Sequence, residues 1–435
     1  MQGKLTATSG KEIGFWRGWS IAVGCAIGSG VFMMPTLLAP YGMLGLAGWL
    51  TAGAGSLLIV LSLSRLARRI PKLGGPYAYV RAGLGDFAGF LIAWTYWIAC
   101  IAAVAGIAIA FVGYLGFFFP FITESSVISL LVALVLVWSL VALNMRSVDG
   151  SGTFQVATTL LKILPLLVMI VMGFIHMEPE IMPPLNPTEL HPIALLATVT
   201  TLVMWSFTGI ETAAVPADNM AEPDKLIPRI LLASVLTILV IYFLVSVTIA
   251  MVVPADELLV STAPFSLAAS KMMGPIGGAF ITIGALISTL GSLNANTLTA
   301  GNIPLAAAKD HLFPVRFATV SQAGTPTFSL MVAGCFVTAL LLFNYTKGLV
   351  EAFTFMAMLS TLSTLMAYAF SAVAEFYFLK SDGLSPERNR AVGLSIAAFL
   401  YSFFAIWGAG AEVVFYSFML IMVGMPFYAL VREQK

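Results

Sequence analysis

Two apolar segments of the chain are each interrupted by a short run of small and hydroxyl residues. Residues 26–32 read AIGSGVF, and residues 205–211 read WSFTGIE. Glycine at this density lets a helix unwind, which frees N–H and C=O groups that lipid cannot satisfy. Free helix termini of this kind bind the charged groups of small ligands when they face a cavity. The two runs together predict a ligand site, although close packing between helices also favours glycine.

Glu211 follows the second run directly and lies inside a predicted helix. A charged residue at a helix centre costs about 2.5–3.5 kcal/mol on insertion scales, so its presence needs a reason. One interpretation is a gate that titrates with protons, or a counter-charge for a cationic substrate. The other is a structural carboxylate that accepts hydrogen bonds from nearby hydroxyls or amides.

Lys162 is the second ionisable residue inside a predicted helix. It lies nine residues beyond Thr153, which places it about 14 Å along the helix at 1.5 Å per residue. An ammonium at that depth could replace a bound Na⁺ and bridge carbonyls of helix 1 to hydroxyls of helix 8. A permanently charged structural clamp is the alternative, and the sequence leaves both open.

The composition makes lipid the solvent for most of the chain. Of 435 residues, 60% are hydrophobic and 9% charged, and the mean hydropathy is +0.98, whereas soluble chains are about 25% charged. The net charge of +1 indicates no nucleic-acid partner. We found no phosphate-binding loop, metal-ligand cluster or nucleophile–base pattern, so we expect no catalytic residues, metal or cofactor. An enzyme is the least favoured class.

Apolar windows of roughly 20 residues predict twelve membrane-spanning helices. They lie near 13–40, 43–66, 86–119, 126–145, 153–175, 192–216, 228–253, 276–308, 326–344, 348–379, 391–410 and 412–431. The stretches 176–191 and 254–275 are predicted as loops.

Basic residues favour one side of this arrangement. With a cytoplasmic N-terminus, the opposite side receives only Lys271 and Lys347, and Lys162 lies inside a helix. The other 18 of the 21 Lys and Arg residues then fall on the cytoplasmic side. Because cytoplasmic loops are enriched in basic residues, both termini are predicted to be cytoplasmic.

The breaks fall in predicted helices 1 and 6, which is the pattern of a 5+5 inverted repeat around a midplane site. Helices 1–5 cover about 13–175, helices 6–10 about 192–379, and two further helices about 391–431, all in a single domain 1–435. The fold class predicted is therefore an all-α membrane protein with a LeuT-like fold.

An ordered set of motifs carries a family resemblance along nearly the whole chain. The motifs are GSGVF at 28–32 with Pro35, GGPYAY at 74–79, YW at 96–97, WSFTGIE at 205–211, EP at 222–223 with IP at 227–228, STAPF at 261–265, GSL at 291–293 and DHLFP at 310–314. This set resembles the amino acid–polyamine–organocation carriers. Within them it is most similar to the basic amino acid/polyamine exchangers, such as arginine/agmatine, lysine/cadaverine and putrescine/ornithine antiporters.

The resemblance implies roles for particular residues. The substrate-binding set it implies is Ala26, Gly28, Ser29, Gly30, Ala99, Cys100, Val104, Trp205, Ser206, Thr208, Asn296 and Ser360. Ser29 and Gly30 would bind a carboxylate, and the carbonyls of Ala26, Trp205 and Thr208 an ammonium. Trp205 would cover the substrate from the periplasmic side, and Tyr96 with Glu211 would close the other side. Ala99, Cys100 and Ser360 would line the side-chain pocket.

Three residues depart from the pattern of the arginine exchanger. Val104 replaces a guanidinium-binding asparagine, Asn296 replaces a second tryptophan, and Lys162 is similar to the lysine of proton-coupled and LAT-like carriers.

The first hypothesis is an amino acid or polyamine exchanger of the bacterial inner membrane. The alternative is a proton-coupled symporter of neutral or small amino acids, with a channel third. A small-molecule substrate and the bilayer are the expected partners, and a homodimer stays open.

Overall fold

Over the residues that the structure describes, the chain folds as a succession of α-helices. The structure, a computed structural model, describes residues 14–70, 75–146, 152–210, 223–344, 346–381 and 385–432, and these contain no β-strand. The helices are α1 Phe15–Ala26, α2 Ser29–Leu38, α3 Gly42–Arg69, α4 Pro76–Leu84, α5 Asp86–Leu115, α6 Pro120–Glu124, α7 Ser126–Arg146, α8 Gly152–His176, α9 Pro192–Met204, α10 Pro223–Ala250, α11 Ala255–Val260, α12 Pro264–Lys309, α13 Thr327–Asn344, α14 Leu349–Ser381, α15 Pro386–Gly408 and α16 Ala411–Arg432.

Many of these helices have the length and composition of membrane spans. Ten helical segments among the described residues are long and apolar enough to cross a bilayer, with the continuous stretch Ser29–Arg69 counted as one. The shorter apolar segment Pro192–Phe207 falls below that length. An all-helical, multi-pass membrane architecture is therefore confirmed.

The predicted break in the first apolar segment is present. Helix α1 ends at Ala26, Ile27 turns to an extended conformation with ψ of 95°, and α2 begins at Ser29. Gly28 lies so close to α12 that an added Cβ would be 2.4 Å from Ser292 Oγ and 2.9 Å from Ser292 Cβ. A side chain at this position would therefore push the break away from α12.

A second break interrupts the segment that begins with α9. Helix α9 ends at Met204, a 3₁₀ turn covers Trp205–Phe207, and Thr208 is extended with ψ of 146°. Gly209 then takes φ of 93°, a left-handed conformation that glycine adopts without steric cost. The predicted interruption of this helix is confirmed up to Ile210, and Glu211 lies outside the described residues.

Two predicted boundaries are wrong. The stretch 254–275 is not a loop, because it contains α11 and the start of α12. Pro264 starts α12, and Gly274 bends it with φ of 71°, so the apolar window began only after the bend. The window 86–119 also ran too far, since α5 ends at Leu115.

Helices α5 and α14 form the centre of the molecule. In their most apolar windows 89% and 72% of the residues are buried, against 28% for α7 and 22% for α16. Helix α5 packs most extensively against α14 and α12. These three helices pack together into a central wall, and the two breaks lie against it.

Glu375 of α14 is buried and pairs with a residue of another helix. The side chain is only 3% exposed and forms an ion pair with Arg65 of α3. Ser62 Oγ also donates to its Oε2 atom at 2.5 Å. The pair of Arg65 and Glu375 therefore joins α3 to α14 in a largely buried position.

We expect Glu375→Gln to destabilise the protein, because Arg65 would lose the carboxylate that neutralises it. Removing one partner of a buried pair costs on the order of 3 kcal/mol, and less where the other partner reaches solvent, as Arg65 does. Thermal unfolding in detergent measures the effect. Glu351→Gln is the matched control, because Glu351 is 69% exposed. Equal melting temperatures for the two variants would contradict the assignment.

Candidate functional site

A cavity of about 100 Å³, here called the central cavity, lies between the two breaks and the wall of α5, α12 and α14. Both breaks contribute backbone and side chains to it, and the three helices contribute one face each. Its lining is Ala26, Gly28, Ser29, Gly30, Tyr96, Ala99, Cys100, Ala103, Ile107, Trp205, Thr208, Gly209, Ser292, Ala295, Asn296, Thr299, Ser360 and Thr364.

Hydroxyl groups satisfy carbonyls that the first break frees. Tyr242 of α10 donates its OH to the carbonyl of Ala26 at 3.2 Å. Ser288 of α12 donates its Oγ to the carbonyl of Ile27 at 3.1 Å. A carbonyl oxygen has two lone pairs, so each can still accept one further hydrogen bond. The unwound segment is therefore held in place without using up its capacity to bind an ammonium group.

The Lys162 ammonium contacts α1 just before the first break. Its Nζ atom donates to the carbonyl of Gly24 at 2.9 Å, and the residue is 6% exposed. Gly291 of α12 packs beside it, since an added Cβ there would be 3.6 Å from Nζ. Lys162 therefore connects α8 to the end of α1 and does not line the central cavity.

The N-terminus of α2 faces the central cavity. Ser29 is 2% exposed, lines the cavity, and its Oγ has no hydrogen-bond partner among the described residues. The first N–H groups of a helix also lack partners within the helix and carry a partial positive charge. An unpartnered hydroxyl beside such a terminus is suited to bind a carboxylate.

Gly30 brings the two breaks into contact. An added Cβ would be 2.6 Å from Ser206 Oγ and 3.0 Å from Ser206 Cα. Ser206 is 1% exposed, its Oγ has no partner in the described part of the chain, and it does not line the central cavity. Position 30 therefore requires glycine, because the backbone of the first break approaches the backbone of the second break at Ser206 too closely for a side chain.

The Trp205 side chain lines the cavity and lies close to α5, since an added Cβ on Gly106 would be 3.9 Å from its indole ring. Its ring makes an edge contact with Phe353 of α14, with centroids 6.1 Å apart. The Trp205 carbonyl, predicted to accept an ammonium, already accepts from the hydroxyl of Thr208 at 2.8 Å. Any ligand would therefore share that oxygen with Thr208.

The α5 side of the cavity is lined by Tyr96, Ala99 and Cys100. The Ser360 hydroxyl of α14 donates to the carbonyl of Ala99 at 2.7 Å, which connects the two helices at this level. Asn296 of α12 also lines the cavity, and its amide donates to the carbonyl of Ser292 at 2.9 Å. Ala99 and Cys100 therefore present small side chains to the cavity.

The structure brings ten of the twelve predicted substrate-binding residues and Tyr96 to the cavity lining. Val104, 1% exposed, and Ser206 are packed outside it. The roles assigned to all of these residues stay predictions.

Several lining residues were missed by the sequence analysis. They are Ala103, Ile107, Gly209, Ser292, Ala295, Thr299 and Thr364. Helical spacing was the available signal, because residues three or four apart share a helix face. Ala103 and Ile107 continue the face of Ala99, and Thr364 lies one turn beyond Ser360.

A multi-pass membrane fold with a cavity between two broken helices is typical of membrane transporters. Residues 13–430 match the family model described as amino acid permease. The chain therefore belongs to the amino acid permease family. This membership confirms the predicted class of amino acid carrier and excludes the enzyme class, in agreement with the resemblance found in the sequence.

Curated relatives align along almost the full length of the chain. It is similar to the arginine/ornithine antiporter of Latilactobacillus sakei, with 29% identity over 98% of this chain and 91% of the relative. The arginine/ornithine antiporter of Pseudomonas aeruginosa is 28% identical over 95% and 90%. The putrescine transporter PotE of Escherichia coli is 25% identical over 94% and 93%.

Among solved structures, the fold is similar to that of a Na⁺-coupled sialic acid symporter in a substrate-bound, outward-open state. The TM-score is 0.57 and the identity 13%, with 91% of this chain and 89% of the other covered. At this identity the likeness shows the fold alone.

Proposed function

We propose that the protein is an amino acid/polyamine exchanger that works by alternating access. The observation that carries the proposal is the central cavity, where the N-terminus of α2, with the unpartnered Ser29 hydroxyl, faces the second break. Relatives of similar length are named arginine/ornithine antiporters and a putrescine transporter. Ornithine and arginine carry an ammonium and a carboxylate. The carbonyl oxygens at the breaks complement the ammonium, and the N–H groups at the start of α2 complement the carboxylate.

Twelve spans in a 5+5 inverted repeat are proposed for the membrane topology. Helices α1 and α2, of 12 and 10 residues, are each too short to cross a bilayer and together form the first span. Separating α2 from α3 and adding the short segment Pro192–Phe207 raises the ten long segments to twelve. The basic-residue bias supports cytoplasmic termini and an inner-membrane location.

The substrate carboxylate binds at Ser29 and Gly30 in this proposal, and its ammonium binds the carbonyls of Ala26 and Thr208. The side chain extends toward Ala99 and Cys100. Trp205 covers the substrate on one side, and Tyr96 closes the other side with Glu211. Rocking of the broken helices against α5, α12 and α14 would expose the cavity to each side of the membrane in turn.

Lys162 is proposed to serve as a fixed cation in place of a bound metal ion. Its Nζ atom contacts the Gly24 carbonyl, one turn before the break, where a coupling ion would otherwise neutralise the helix C-terminus. The alternative of a proton-coupled symporter rests on the same residue. The relatives named as antiporters do not favour it.

Counterflow in proteoliposomes tests the exchange proposal. Vesicles loaded with arginine, ornithine or putrescine are expected to accumulate the same radiolabelled compound, and empty vesicles are not. A protonophore should leave this accumulation unchanged, because exchange needs no proton gradient. Accumulation that requires an inward proton gradient would favour the symporter, and no counterflow with any amino acid or diamine would reject the proposal.

We expect Trp205→Ala to raise the KM for exchange about tenfold or more. The substrate would lose its contact with the indole, and each 1.4 kcal/mol of lost interaction is tenfold in affinity. Trp407→Ala is the matched control, because Trp407 is 59% exposed and does not line the cavity. Initial exchange rates over a range of substrate concentrations measure the difference. Equal KM values for both variants would mean that Trp205 does not cover the substrate.

A further inference from the structure

Helix α12 contributes a row of polar side chains to the central cavity. Ser292, Asn296 and Thr299 line the cavity and lie four and three residues apart, so they share one face of the helix. Ser292 packs against Gly28 at the first break. At 1.5 Å per residue, Asn296 lies about 6 Å and Thr299 about 10 Å further along α12. This row, here called the α12 edge, therefore runs from the first break along the cavity.

The amide group of Asn296 is oriented by its own helix. Its Nδ2 atom donates to the carbonyl of Ser292 at 2.9 Å. The opposite orientation would place Oδ1 against that carbonyl oxygen, so the hydrogen bond decides which atom is which. The residue is half-buried, and its Oδ1 atom accepts no hydrogen bond from the residues that the structure describes. Asn296 therefore brings an unused acceptor to the cavity.

Thr299 adds a second oxygen to the α12 edge. Its hydroxyl donates to the carbonyl of Ala295 at 2.8 Å, and a hydroxyl oxygen that donates its proton can still accept. At the same level, Trp97 of α5 donates its Nε1–H to the carbonyl of Ala300 at 2.8 Å. This bond holds α12 against α5, so the position of the Thr299 oxygen is fixed by packing.

Helix α5 contributes mainly hydrocarbon to the same cavity. Beyond Tyr96, its lining residues are Ala99, Cys100, Ala103 and Ile107, none of which has a side-chain oxygen or nitrogen. None of the lining residues that the structure describes carries a charge. The cavity therefore complements a side chain with an apolar stem and a head that donates several hydrogen bonds. An apolar head would displace water from the Asn296 oxygen and leave that acceptor unsatisfied, which costs free energy.

We propose that Asn296 and Thr299 select the substrate by accepting hydrogen bonds from the distal ammonium or guanidinium of its side chain. An ammonium has three N–H donors and a guanidinium five, so one head can reach both oxygens. The substrate class is then the basic amino acids, whose methylene groups pack against α5. This inference rests on the proposed function, because it takes the substrate to lie in the central cavity.

Isothermal titration of the purified full-length protein with ornithine and with norvaline tests this inference. Norvaline has the carbon chain of ornithine and lacks the distal ammonium. The wild type is expected to bind ornithine at least about tenfold more tightly than norvaline, which corresponds to about 1.4 kcal/mol. Asn296→Leu keeps the size of the side chain and removes the acceptor. It should lower this preference about tenfold by weakening the binding of ornithine alone.

A second variant and a matched control lie on the same helix. Thr299→Val keeps the shape of the side chain and removes its oxygen, so the preference for ornithine should fall about threefold. Thr297→Val is the control, because Thr297 is 3% exposed, donates to the carbonyl of Leu293 at 2.8 Å and does not line the cavity. This control should keep the preference of the wild type.

Three results would overturn the inference. They are equal affinity of the wild type for ornithine and norvaline, an unchanged preference in Asn296→Leu, and a preference lost in Glu211→Gln but kept in Asn296→Leu. The last result would place the distal cation on Glu211. If Asn296→Leu does not fold, as judged by its melting temperature, Thr299→Val decides, and a preference equal to that of Thr297→Val counts against the α12 edge. The expected binding pattern without counterflow would reject exchange and still support the recognition by α12.

Discussion

Replacing Gly30 with valine is expected to abolish exchange while most of the protein still folds. Even a single added carbon would lie 3.0 Å from the Cα atom of Ser206, and the two further methyl groups of valine have no space. The two breaks must therefore separate, and the helix terminus that we propose to bind the carboxylate moves with them. Overpacking of this kind lowers the free energy of unfolding by about 1–3 kcal/mol, so most of the protein should remain folded. A site displaced by about 1 Å can lose about a hundredfold in rate, so the exchange activity should be lost.

Gly393→Val is the matched control for this prediction. Gly393 lies in α15, and an added Cβ there meets no atom within 4 Å. Initial exchange rates and melting temperatures of both variants separate transport from folding. If Gly30→Val transports at the rate of Gly393→Val, transport does not need glycine at position 30. The substrate would then bind elsewhere than between the two breaks.

Gly28 offers a rescue test of the same point. The atoms that an added Cβ would meet both belong to the Ser292 side chain. Exchange lost in Gly28→Ala should therefore recover in part when Ser292→Gly is added. At Gly30 the obstacle includes backbone, so a second substitution at Ser206 should recover less.

Lys162→Met is the second substitution expected to abolish exchange. It removes the donor to the Gly24 carbonyl and leaves that oxygen buried without a cation, at a depth where lipid supplies no donor. The lost hydrogen bond to a charged group contributes about 1.5–3 kcal/mol, so the melting temperature should fall as well. Lys271→Met is the control, because Lys271 pairs with Glu257 where both are partly exposed.

The pH dependence of the Lys162→Met variant also separates the two proposed mechanisms. A fixed cation predicts that exchange is lost at every pH. A titratable lysine that couples transport to protons predicts that substrate exchange survives and that only the response to a proton gradient disappears. The second result would replace the exchanger with the symporter.

Local sequence patterns predicted the elements that position the site. The glycine and serine runs predicted both breaks, because unwinding in lipid is tolerated only where the backbone has other partners. Spacing along a helix would also have found Thr364 from Ser360, and Ala103 from Ala99. One of the two interpretations of Lys162 placed its ammonium on carbonyls of helix 1, and the structure has the Nζ atom 2.9 Å from the carbonyl oxygen of Gly24.

Contacts distant in sequence could not be predicted. Glu375 lies 310 residues from its partner Arg65, and nothing in either neighbourhood distinguishes a buried pair from two surface charges. The start of α12 was missed because Lys271 and the bend at Gly274 interrupt its apolar pattern.

Protection of Cys100 from a thiol reagent tests the central claim, that the substrate occupies the cavity between the two breaks. Cys100 lines that cavity, and a Cys25→Ala/Cys335→Ala variant would leave it as the single thiol of the chain. We predict that a small cationic methanethiosulfonate labels it and blocks exchange, that arginine or ornithine slows the labelling, and that Cys100→Ala in this background is not labelled. Labelling at an unchanged rate in the presence of a saturating, exchanged substrate would contradict the account.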